Sequence, residues 1–76
     1  MAMSKYRWTT QRMDLLERAV RENRRVSLMR RGDEFIVIAL RIASVKQRDA
    51  LIGRLPMTGE ELTFVLDDLE GFQIVG

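Results

Sequence analysis

Between Thr9 and about Arg25 the apolar residues Met13, Leu16, Ala19 and Val20 recur at helical spacing, with Leu15 widening the stripe. That spacing predicts one amphipathic helix of about four turns. Thr9 suits the N-cap, because its hydroxyl can accept from a free backbone N–H and because Trp8 then stands where it can staple onto Met13. Asp14 with Arg18 and Glu17 with Arg21 are acid-first i, i+4 pairs. The helix is expected to stop near Asn23, Arg24 and Arg25, where an Asn can cap and cations meet the negative end of the helix dipole.

Beyond Arg25 the period changes from helical to two. Val26–Arg31 reads as a strand, Gly32-Asp33 as a hairpin turn and Glu34–Ala43 as a long second strand. The middle of that strand is apolar on both faces, with Phe35, Val37 and Ala39 on one and Ile36, Ile38 and Leu40 on the other, the pattern of a central strand covered on both sides. Ser44–Arg48 reads as a loop and Asp49–Leu55 as a third strand. Pro56 and Thr58-Gly59 then mark a tight turn. Glu60–Leu66 alternates, with Leu62, Phe64 and Leu66 pointing one way. Asp67–Glu70 forms a helical turn or loop closed by Gly71, and Phe72–Val75 is a last short strand. The fold class that follows is α+β: an N-terminal amphipathic helix, then a strongly bent antiparallel sheet of about five short strands, of the small-barrel kind.

The chain has 76 residues, enough for a single domain, which we place at 9–76 behind an N-terminal extension at 1–8 that includes a Met1-Ala2 start with the look of a cloning remnant. Hydrophobic residues make up 46%, which supports a packed core and argues against a disordered tail. A domain this small buries only about 60–65% of its unfolded surface, so pairing with a second copy is an easy route to further burial. With no cysteine and no histidine, the chain lacks a thiolate nucleophile, a disulfide framework, and the usual metal ligand and general base. The expectation is a non-enzymatic protein without a cofactor. The longest uncharged apolar run, Phe35–Leu40, is too short to cross a bilayer, and the reading is a cytoplasmic protein with no membrane partner.

Charge changes the picture more than composition does. The net charge is +2, yet residues 1–31 carry nine Lys/Arg against three Asp/Glu, and residues 32–76 carry four against eight. Such halves can pair with each other, pair between copies or offer one basic face to a polyanion. Eleven of the thirteen basic residues are arginine, the side chain suited to bidentate contacts with phosphate or carboxylate.

The candidate site residues are therefore Arg21, Arg24, Arg25, Arg30 and Arg31, on the helix end and first strand. The competing reading makes them a solvated face that pairs with Glu17, Glu22 and the acidic half. Trp8, in the run Lys5-Tyr6-Arg7-Trp8, joins the candidates because cations interleaved with aromatics suit stacking on single-stranded bases; its alternative task is the staple. Asp67, Asp68 and Glu70 lack the alternating ligands and mid-loop glycine of a calcium loop, and capping a turn explains them better. Glu60-Glu61 point to opposite faces of a strand and cannot act as a carboxylate pair.

The stretch Leu16-Glu17-Arg18-Ala19-Val20-Arg21-Glu22-Asn23-Arg24-Arg25-Val26-Ser27-Leu28 resembles the opening of WYL-type domains of bacterial regulators, in which a short helix runs into the first strand of an SH3-like (Sm-like) barrel. Ile38–Ile42 and Leu62–Leu69 resemble that family's second-strand and late segments. The Trp-Tyr-Leu signature is absent; Arg30, Ala39 and Asp68 stand where the family has tyrosine, proline and arginine, so its ligand-binding residues do not carry over. The resemblance implies a fold: an SH3-like or Sm-like small barrel behind a helix, a class associated with RNA binding and with ring or dimer assembly. The functional expectation is a binding or regulatory module that contacts an acidic partner, whether nucleic acid, nucleotide or acidic protein, through the arginine-rich helix end and first strand. The competing expectation is a structural or protein-interaction module that self-associates, as a dimer, through its basic and acidic halves.

Overall fold

A computed structural model describes residues 7–76. Most of the N-terminal extension, including Met1-Ala2, Lys5 and Tyr6, lies outside the described residues. Helix α1 spans Thr10–Glu22 and is followed by strands β1 (Arg25–Arg30), β2 (Asp33–Val45), β3 (Arg48–Arg54) and β4 (Glu61–Val65), a 3-10 turn (Leu66–Asp68) and strand β5 (Gly71–Val75). The protein is α+β, one helix ahead of a five-stranded antiparallel sheet in the order β4-β3-β2-β1-β5.

The helix begins and ends where its side chains direct. Thr9 Oγ1 accepts from the Arg12 N–H at 3.2 Å, and Met13 N–H donates to the Thr9 carbonyl at 2.9 Å. At the other end Asn23 takes the left-handed conformation, φ 49° and ψ 48°. Its N–H donates to Val20 O, while the Arg24 N–H reaches back to Ala19 O at 2.8 Å, a Schellman-type closure. The Asn23 side chain also donates to Ala39 O at 2.9 Å, and the Ala39 N–H donates to Arg24 O. The helix end is thereby pinned to the middle of β2. The expected Asp14–Arg18 and Glu17–Arg21 pairs do not close; the ion pairs of the described residues are Arg24–Glu22 at 3.2 Å and Arg41–Glu61 at 3.8 Å.

Two hairpins differ from expectation in their turns. β1 and β2 pair from Arg25↔Ile38 to Arg30↔Asp33, so the turn residues are Arg31 and Gly32, both at positive φ, one position earlier than expected. The expected loop at Ser44–Arg48 is instead strand running to Val45, a two-residue turn at Lys46-Gln47, and strand again from Arg48. Lys46 and Gln47 also hold positive φ, 51° and 67°, without glycine or asparagine to announce the turn. Between Ala39 and Arg41 the β2–β3 register shifts, a bulge that bends the strand where the Asn23 cap grips it.

The core lies between the helix and one face of the sheet: Leu16 and Ala19 from α1 pack with Val26, Leu28, Val37, Ala39, Leu51, Phe64, Leu66 and Leu69. Gly53 is needed there, since a Cβ would stand 2.5 Å from Val37 Cγ2. Two expectations are corrected. β2 is central in strand order, but its second face is only partly covered: Ile36 is 39% exposed and Ile38 and Leu40 are half-buried, because the helix packs on the opposite face. Nor does the sheet close. β4 and β5 are its edges; the 3-10 turn carries the chain from β4 to the far side of β1, where Glu70 N–H donates to Met29 O at 2.7 Å and leads into the β1–β5 pairing. No described helix is long and apolar enough to cross a membrane.

Candidate functional site

The structure divides the arginine cluster in two. Arg25 and Arg30 begin and end β1, five residues and therefore about 17 Å apart, and an odd spacing puts their side chains on opposite faces. At the helix end, Arg21 is exposed in the last turn of α1 and Arg24 is half-buried beside Glu22. Arg25 opens onto the outward face, opposite Ile38 and Val75. These three do not share a concave surface with Arg30 and Arg31.

The far end of β1 is different. The Arg30 guanidinium carbon stands 5.1 Å from the centroid of the Phe35 ring and 4.9 Å from that of Phe64. The two rings meet edge to face at 5.4 Å. Such an arrangement attracts the cation through both ring quadrupoles and fixes a side chain that is otherwise among the most mobile. Among the described residues the Arg30 guanidinium makes no ion pair and donates no hydrogen bond, so its N–H donors remain available at the rim of a concavity of about 390 Å³ lined by Arg30, Arg31, Asp33, Phe35 and Asp68. Arg31 holds φ 54°, a left-handed conformation that costs an arginine about 1–2 kcal/mol and is imposed by the two-residue turn. The turn is tied down from the other side, where Gly32 N–H donates to Glu70 Oε1 at 3.2 Å.

Two guanidinium groups and two carboxylates therefore share one rim over an aromatic ring. The formal charges cancel, so a bare anion gains little from their sum, whereas a ligand carrying acceptors and donors side by side can use both pairs. Phe35, Phe64, Asp33 and Asp68 were not among the sequence candidates. The readable signal was parity in the first strand: once Val26 and Leu28 are inward, Arg30 is inward too, while Arg25 is not.

Trp8 has a structural task. Its indole N–H donates to Leu66 O at 2.9 Å, and its ring lies 5.5 Å from Phe72 at 39°. With Met13 it lines a second concavity of about 350 Å³, shared with Gln47, Arg48, Asp49, Leu66 and Asp67. The three late acids diverge: Asp67 lines this concavity, Asp68 faces the Arg30 rim and Glu70 accepts from Gly32. Comparison with protein-family models, with curated proteins and with solved structures gives no match.

Proposed function

We propose that this chain is a small non-enzymatic binding module whose ligand is a nucleotide or a single-stranded nucleic acid, taken up at the end of β1 by Arg30 and Arg31. One observation carries the reading: Arg30 is held against two phenyl rings with its hydrogen-bond donors unspent. A guanidinium fixed in this way binds phosphate oxygens at little further cost in side-chain entropy. Asp33 and Asp68 on the same rim favour a ligand whose base edge offers N–H donors beside the phosphate, which a nucleotide does and inorganic phosphate does not. The cytoplasm, where such ligands abound, is the setting this reading implies. The helix-first order and the strand order β4-β3-β2-β1-β5 support an affinity with SH3-like and Sm-like small barrels, left open between β4 and β5.

The test is a salt titration of binding to a labelled single-stranded RNA. Phosphate contacts release counterions, so affinity is expected to fall steeply as salt rises. Absence of binding at low salt to RNA, and to a nucleoside triphosphate in the same assay, would sink the proposal. A second reading, a module that self-associates, is favoured by the exposure of Ile36 on the sheet face away from the helix, together with that of Met57.

A further inference from the structure

Arg25, Ile38 and Arg54 stand side by side across three strands, since Ile38 pairs with Arg25 of β1 on one side and with Arg54 of β3 on the other. Their side chains share the outward face of the sheet. Ile36, the next outward residue of β2, is 39% exposed and has Ser27 as its neighbour across β1. The face thus has an isoleucine pair at its centre and a guanidinium on each side of Ile38; Glu34, which accepts from the Ser27 hydroxyl at 2.6 Å, lies beside Ile36, and Glu61 stands opposite Arg54. Neither Arg25 nor Arg54 is in an ion pair among the described residues.

The same chain carries a shape and charge that fit this face. β3 leaves β2 at Arg54, opposite Ile38, so the turn that follows runs past the level of Ile36 at the same end of the sheet. The turn is firmly closed: Leu55 N–H donates to Glu60 O and Gly59 N–H to Leu55 O, both at 2.8 Å. Its tip is Met57, 95% exposed, the most exposed large hydrophobic residue among the described residues. Methionine is adaptable and gains by burial, and a turn tip has no packing use for it within one copy. Glu60, at the closing end of the same turn, makes no ion pair among the described residues, while Glu61 pairs with Arg41. The knob is therefore apolar and acidic, and the part of the face around Ile38 is apolar and basic, since Glu61 is matched by Arg41 and leaves Arg25 and Arg54 in excess.

We propose that two copies of this chain associate about a two-fold axis, the Met57 turn of each seated on Ile36 and Ile38 of the other, with Glu60 meeting Arg54 and Arg25 across the interface. The proposal rests on the self-association reading and gives it residues. Knob and receiving face lie at one end of the same sheet, so a single rotation satisfies both contacts, as a closed isologous interface requires. It needs neither the Arg30 rim nor the helix, and leaves both exposed.

Sedimentation velocity over a wide concentration range tests it. The wild-type chain is expected to pass reversibly from monomer to dimer. Met57→Glu, at a site too exposed to matter for folding, should raise the dimer dissociation constant at least about tenfold, as loss of a central anchor does. Glu60→Arg and Arg54→Glu should each weaken the dimer, and the two together should restore it. A dimer unaffected by Met57→Glu, or one that the exchanged pair does not rescue, would overturn the assigned surface while leaving self-association standing. A wild-type chain monomeric at every concentration would overturn both.

Discussion

The two ends of β1 each carry a pair of adjacent arginines, and the fold treats the pairs differently. At the start of the strand, Arg24 is paired with Glu22 and Arg25 lies out on the sheet face, in a corner closed by the left-handed Asn23, its side-chain hydrogen bond to Ala39 O and the return bond from Ala39 N–H to Arg24 O. At its end, Arg30 leans on Phe35 and Phe64, and Arg31 is fixed by the turn itself. Both corners hold guanidinium donors in reserve, at Arg25 and at Arg30, but only the second seats its guanidinium on aromatic rings. Equal sequence chemistry gives unequal sites because what matters is which side chain the fold holds in place and which it leaves loose on an open face.

Replacements that separate the two corners follow in order of size. Phe64→Ala removes a fully buried ring that is both core and platform, and should cost about 3–5 kcal/mol in denaturant unfolding while loosening Arg30. Asn23→Ala should cost about 2 kcal/mol, from the strained left-handed backbone and the lost side-chain bonds to Val20 O and Ala39 O, yet leave RNA affinity unchanged in the folded protein. Phe35→Leu keeps apolar volume but removes one ring from Arg30; stability should fall by about 1 kcal/mol, and binding should weaken with it. Gln47→Gly relieves a positive φ at a turn remote from both corners, and should raise the free energy of unfolding slightly, by less than about 1 kcal/mol, without touching binding. If Asn23→Ala weakened binding as much as Phe35→Leu does, the distinction between the corners would fail.

The helix and its caps were legible because Thr9, the Met13–Leu16–Ala19–Val20 stripe and Asn23 act locally, and the strands because their alternation does. The Lys46-Gln47 turn was not, since nothing in those side chains favours positive φ and the strands on either side impose it. The exposure of Ile36 was also hidden: alternation tells which residues share a face, while the number of layers available to cover that face depends on how one helix is placed. The separation of Arg25 from Arg30 was within reach by counting parity. The stacking of Arg30 on Phe64 was out of reach, because it depends on a residue thirty-four positions away, brought in by β4 pairing with β3 and β3 with β2.

The most direct test sets one corner against the other. Arg30→Gln with Arg31→Gln, and separately Arg24→Gln with Arg25→Gln, remove the same charge from the two ends of β1. Affinity for a labelled single-stranded RNA at low salt should fall about tenfold or more in the first double variant, as losing one or two charge-assisted contacts requires. In the second it should fall less than about threefold, the share left to long-range attraction. Equal losses in the two variants would mean that the charge acts diffusely, and would contradict a site at the end of β1.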